Sequence, residues 1–150
     1  MAEQFANVTA QIHIEDLFRK PSWLYLRRKD KLAQAISFDK AEQTGSWSSL
    51  QEMEHKPIYS RERIEEKLAE LVEQEAWWSA YFANNSIDYL EIWYEDLLKD
   101  VQGSIQSVCK YLCVKECANS GQAPTSYFDQ MTIQRDNTNR CWAELYKQGL

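Results

Sequence analysis

Two adjacent arginines and a serine nine residues later are the side chains in this sequence best suited to bind a phosphate. Arg27 and Arg28 directly follow the apolar residues 23–26, and Ser37 comes after one short helical segment. A guanidinium group offers a planar fork of N–H donors to phosphate oxygens, and a serine hydroxyl adds one more donor. The alternative is a strand end whose basic side chains are merely solvated, and the pattern alone does not separate these two interpretations.

Predicted elements around these residues would bring them to one end of a sheet. The aromatic and apolar run that follows Pro21 predicts a buried strand over residues 23–26. Asp30 is a suitable cap for a helix that runs to about Gln43 and ends at Gly45. A helix, a strand and a helix in this order indicate an α/β sheet, whose ligands gather at the carboxyl ends of the strands.

Further along the chain, caps and periodicity predict a second strand and three more helices. Ser60 is a predicted cap for a long helix, and residues 89–94 alternate in the manner of a strand rich in aromatic side chains. Directly after that strand, Glu95 and Asp96 are predicted to cap the next helix and to pair with a strand-end arginine. Asp100 is expected to begin another helix.

Composition excludes several classes of protein. The 150 residues are enough for one domain, which we expect to span residues 1–150. A net charge of −6 argues against a nucleic-acid partner. No apolar run is long enough to span a membrane, and no secretory signal is recognisable, so we expect a cytoplasmic protein. The four cysteines include no Cys-x-x-Cys pair, which favours reduced thiols over a metal site.

The sequence LRRKDKLAQAIS at residues 26–37, with AEQTGSW at residues 41–47, resembles the bacterial sulfotransferase family typified by trehalose 2-sulfotransferase. The resemblance implies use of 3′-phosphoadenosine-5′-phosphosulfate (PAPS) as the sulfuryl donor. It also implies that Arg27 or Arg28, together with Ser37, binds the 3′-phosphate of this cofactor. The implied reaction is transfer of the sulfuryl group to a hydroxyl of a sugar or glycolipid.

The same resemblance assigns roles to residues outside this stretch. It implies that Gln134, Arg135 and Asn139 contribute to the site of the phosphoadenosine group. It places Trp47 in a loop that faces the acceptor substrate, where an indole ring would stack on a sugar. The alternative for Trp47 is that it fills a hydrophobic hole.

One element of the family is not recognisable in this chain. Sulfotransferases bind the 5′-phosphosulfate with a strand, a loop rich in Gly, Ser and Thr, and a helix near the N-terminus. None of the four glycines lies in such a loop, and the resemblance begins at about Asp16. We therefore expect an incomplete P-loop-like α/β sulfotransferase fold, with few parallel strands, a mostly helical remainder and no catalytic residue of its own. Relative to the family, we expect the chain to be truncated at its N-terminus.

Three functional hypotheses follow from that expectation. In the first, the chain binds the 3′-phosphoadenosine group but is inactive alone. In the second, another chain or an unusual acceptor loop completes an active transferase. In the third, the chain is a non-catalytic scaffold that associates with itself or with a partner. A missing strand leaves an open sheet edge and apolar surface, so we expect a homo-oligomer.

Overall fold

The computed structural model describes residues 2–9, 12, 14–47, 51, 55–114 and 137–150. The chain divides into two compact units, one made of Met1–Lys29 with Val72–Gly121 and one of Asp30–Leu71 with Gln122–Leu150. The single domain expected from the sequence stays a prediction.

The first unit contains a two-stranded parallel sheet with helices. Its strands are β1, Trp23–Arg27, and β2, Tyr89–Trp93, and the register sets Trp23 opposite Tyr89 and Arg27 opposite Trp93. Its helices are α1 (Ala2–Thr9), α2 (Ile14–Leu17), the part of α4 (Arg61–Asn84) from Val72 onward, α5 (Tyr94–Lys99) and α6 (Val101–Tyr111). This parallel sheet among helices confirms the α/β class. The P-loop features stay a prediction.

Aromatic rings fill one side of this sheet. Side chains alternate between the two faces of a strand, so Trp23 and Tyr25 lie on the same face of β1. They meet rings of α4, among them Phe82, which is only 4% exposed. The cluster comprises Phe5, Trp23, Tyr25, Trp77, Trp78, Tyr81, Phe82 and Tyr89. The alternation of β1 also leaves Leu24 and Leu26 exposed on the opposite face, at 44% and 57%.

The second unit has a helical core. Its elements are α3 (Lys31–Thr44), the part of α4 up to Leu71, and α7 (Asn137–Lys147). Ala35 and Ile36 of α3, Ile64 of α4 and Trp142 of α7 form the buried centre. Burial of these side chains removes apolar surface from water, which is the main favourable term in folding.

The caps predicted at Asp30, Ser60 and Asp100 are confirmed. The Asp30 carboxylate accepts a hydrogen bond from the Ala33 N–H at 3.0 Å, and α3 ends at Gly45 with a left-handed φ of 69°. Ser60 accepts from the third residue of α4, and Asp100 caps α6 in the same way. Each cap satisfies an N–H that has no partner inside its own helix.

Cysteine pairing differs from the expectation. Cys113 and Cys141 are free thiols, but Cys109 is disulfide-bonded, so the prediction of reduced thiols is wrong for Cys109. In the part of the chain that the structure describes, no helix has both the length and the apolar character needed to cross a bilayer. The cytoplasmic location stays a prediction.

Candidate functional site

Arg27 ends β1, and carboxylates occupy its guanidinium group. Its Nη2 donates to Glu75 Oε2 on α4 at 3.2 Å, and its Nη1 donates to Glu91 Oε1 on β2 at 2.7 Å. The guanidinium carbon also lies 4.6 Å from the centroid of the Trp93 ring. The hydrogen bond to Glu75, and then that to Glu91, raise the pKa of Arg27 above its ordinary value. Arg27 therefore ties β1 to both α4 and β2.

Arg28 has different surroundings, because successive side chains at a strand end point to opposite faces. Its guanidinium carbon lies 4.6 Å from the centroid of the Tyr94 ring. The Arg28 Nε is buried and has no hydrogen-bond partner among the residues that the structure describes. Buried polar atoms nearly always have a partner, so an unpaired buried donor calls for an explanation. A bound anion would supply the acceptor.

Lys29 engages the acidic pair that follows β2. Its Nζ donates to Asp96 Oδ2 at 2.6 Å, and its backbone N–H donates to Glu95 Oε2 at 3.0 Å. The hydrogen bond from Lys29 lowers the pKa of Asp96. The prediction that these acids cap the helix is wrong, because α5 starts after Trp93 with no side-chain cap. Among the described residues the cation that pairs with Asp96 is Lys29 rather than an arginine. Both acids lie in the first turn of α5 and reach the second residue after β1.

Ser37 belongs to the second unit, on the middle turn of α3. Its hydroxyl accepts a hydrogen bond from Asn139 Nδ2 on α7 at 3.3 Å. Asn139 is only 7% exposed. The structure thus brings together two residues that the resemblance assigned to the PAPS site: Ser37, from the segment at residues 26–37, and Asn139, from the C-terminal tail.

Trp47 lies in solvent rather than in a hydrophobic hole. The residue is 62% exposed, and the centroid of its ring lies 6.0 Å from that of Phe38. Its backbone N–H donates to Gln51 Oε1 at 2.7 Å, which fixes the local backbone. An exposed indole held this way presents a flat apolar face. Gln134 and Arg135 lie outside the described residues.

The sequence analysis did not predict that Tyr94 contacts Arg28. The signal was available, because the predicted second strand ended at Tyr94 and the predicted first strand ended beside Arg27 and Arg28. A parallel pairing of these two ends sets the aromatic residues against the arginines. Among the described residues, no group of His, Cys, Asp and Glu is arranged to hold a metal ion.

Comparison with known proteins agrees with this picture. The model of the family described as Stf0 sulphotransferase matches residues 3–149. Trehalose 2-sulfotransferase of Mycobacterium tuberculosis (strain ATCC 35801 / TMC 107 / Erdman) is 30% identical over 134 residues, which cover 85% of this chain. The chain spans 46% of the length of that relative. A match over nearly the whole chain shows the family: this protein belongs to the Stf0 sulphotransferases.

Proposed function

We propose that this chain binds the 3′-phosphoadenosine part of PAPS, with Arg28 and Ser37 as ligands of the 3′-phosphate. The proposal rests on the surroundings of the Arg28 guanidinium group. This group lies over an aromatic ring, and its buried Nε has no acceptor among the described residues. Ser37 lies nine residues later and shares the motif that the chain has in common with its family.

Arg28 suits an anion better than Arg27 does. Two carboxylates, Glu75 and Glu91, already neutralise Arg27 and occupy its donors. A phosphate brought to Arg27 would meet those negative charges, and like charges at short range repel. Arg28 has no such carboxylate among the described residues.

Both proposed ligands of the 3′-phosphate carry hydrogen-bond donors. A guanidinium and a hydroxyl each donate hydrogen bonds, and hydrogen bonds to a charged acceptor are the strong ones. Bound PAPS would supply the sulfuryl group of the family reaction. The residues of this chain would bind and orient its nucleotide end.

Other residues are proposed to contact the nucleotide and the acceptor. Gln134 and Arg135 would close the nucleotide site, as the family resemblance implies. Trp47 would stack on the ring of a sugar or glycolipid acceptor, and its exposed indole supports that role. The curated relative is named for a sugar, trehalose, which also supports a sugar-type acceptor.

We further propose that the 150-residue chain does not transfer the sulfuryl group on its own. None of its four glycines forms a Gly-rich anion-binding loop in the sequence. Preorganised donors at the transferring group are worth roughly 10²- to 10³-fold each in rate. Incubation with sulfur-35-labelled PAPS and trehalose should leave the sugar unlabelled, and transfer of label would contradict this part of the proposal.

Calorimetry with 3′-phosphoadenosine-5′-phosphate tests the binding proposal. Arg28→Ala should weaken binding roughly 10- to 100-fold, because a hydrogen bond to a charged group contributes about 1.5–3 kcal/mol. Lys29→Ala is the matched control, since it removes the same charge one residue later from an exposed pair with Asp96. Equal losses in both variants would show only general attraction, and no loss in Arg28→Ala would remove Arg28 from the site.

One observation favours a second function, that of a scaffold that associates with itself or with a partner. Leu24 and Leu26 present apolar surface on the sheet face away from the aromatic cluster. Parallel sheets are normally covered on both faces. If a homo-oligomer buries these leucines, sedimentation equilibrium of the wild type should give the mass of an oligomer. The Leu26→Ser variant should give the mass of the monomer. A wild-type monomer at high concentration would contradict it.

A further inference from the structure

We infer that Tyr94 is a positioning residue for Arg28, one whose ring holds the guanidinium ready for an anion. The inference rests on the proposed function and names the part of the protein that prepares the site. Tyr94 would not touch the ligand itself. Its contribution would be the orientation of the arginine.

The parallel register creates this contact. Arg27 lies opposite Trp93 in the ladder, and the next residue of each chain segment brings Arg28 to Tyr94. Both guanidinium carbons lie 4.6 Å from the centroid of their aromatic ring. The two arginines differ in the partners of their N–H donors, because Glu75 and Glu91 accept hydrogen bonds from Arg27.

The contact with the Tyr94 ring uses none of the guanidinium N–H donors. The guanidinium carbon lies over the ring, whereas the N–H donors lie in the plane of the group and point outward. A cation over an aromatic face is attracted by the ring quadrupole, and the attraction grows when water is excluded. The burial of the Arg28 Nε shows that water is excluded at this point.

Holding the arginine before the ligand arrives lowers the cost of binding. A free arginine side chain has many rotamers, and ordering them on binding costs affinity. The Tyr94 ring would select one orientation in advance. Loss of the ring should therefore weaken binding of the group that Arg28 recognises and leave binding of other parts of the ligand unchanged.

The test compares two nucleotides on a set of Tyr94 variants. The probes are 3′-phosphoadenosine-5′-phosphate and AMP, which lacks the 3′-phosphate. Tyr94→Leu should bind the bisphosphate about 2- to 30-fold more weakly, the range expected for a cation–π contact, and should bind AMP as the wild type does. Tyr94→Phe keeps the ring and should stay within about twofold of wild type for both nucleotides.

A double-mutant cycle separates positioning from a general effect on the fold. In an Arg28→Met background the effect of Tyr94→Leu should largely disappear, because the cation over the ring is already gone. Tyr94→Met is the second ring-free variant if Tyr94→Leu fails to fold, as judged by circular dichroism.

Each outcome has one meaning. Absence of bisphosphate binding by wild type would overturn the proposed function and this inference with it. Normal binding by wild type, loss in Arg28→Ala and none in a folded ring-free variant would overturn the role of Tyr94 alone. Equal losses in the Phe and Leu variants would assign the effect to the hydroxyl and would also overturn it.

Discussion

Replacement of Arg63 should destabilise the second unit, because it leaves the buried carboxylate of Asp39 without its charged partner. Asp39 lies on α3, two residues after Ser37, and its side chain is fully buried. Arg63 Nε donates to Asp39 Oδ1 at 2.6 Å, and Gln43 Nε2 donates to Oδ2 at 2.8 Å. The Arg63 side chain, in contrast, is 46% exposed. The pair is therefore asymmetric in its access to water.

The difference in exposure between the two side chains determines how much stability is lost when Arg63 is replaced. Breaking a buried ion pair by removing one partner costs about 3–5 kcal/mol, because the other charge is left buried. Screening at the half-exposed arginine and the remaining hydrogen bond from Gln43 reduce this figure, so Arg63→Met should cost about 2–3 kcal/mol. Asp39→Asn should also be destabilising, because the amide offers only one acceptor oxygen and its NH2 group would face the other of the two donors, Arg63 Nε and Gln43 Nε2.

Urea unfolding followed by tryptophan fluorescence measures these differences, since Trp142 is buried in the same core. Lys99→Met is the matched control, because it removes a cation from Asp96, whose side chain is 49% exposed. That change should cost less than about 0.5 kcal/mol. The reasoning is refuted if Arg63→Met is no more destabilising than Lys99→Met.

Two further predictions concern the first unit. Tyr25→Phe should raise the free energy of unfolding by about 1 kcal/mol, because the buried Tyr25 hydroxyl has no hydrogen-bond partner among the described residues; lower stability in the same urea assay would reveal a partner. The hydrogen bond from Lys29 lowers the pKa of Asp96 in the folded state, so its contribution is present above the unfolded value of about 3.9 and is lost as pH falls through the folded value. Asp96→Asn should therefore be less stable than wild type at pH 7, and the difference should shrink as the pH falls below the unfolded value; a constant difference at all pH values would contradict this.

Local chemistry explains why much of the fold could be predicted from the sequence. Asp30, Ser60 and Asp100 each cap the helix that starts next to them, and each bond joins residues three apart. Gly45 adopts a backbone conformation that other residues rarely adopt. These features need no knowledge of distant parts of the chain.

The roles of the two arginines could not be predicted in this way, because they depend on distant residues. Arg27 is neutralised by Glu75 and Glu91, which lie 48 and 64 positions away. Lys29 finds its carboxylates more than 60 positions away in the same manner. Residue type and spacing identified a basic cluster at a strand end. Which carboxylate each basic side chain binds depends on how distant parts of the chain pack against β1.

The aromatic core and the arginine site depend on the same register. A shift of β1 by one residue would turn its side chains to the opposite face, so Arg28 would meet the carboxylates and Arg27 would leave them. Such a shift would also move Trp23 and Tyr25 out of the aromatic cluster and bring Leu24 and Leu26 into it. The loss of buried ring surface would oppose that exchange. The large side chains at the start of β1 thus determine which arginine at its end stays available to an anion.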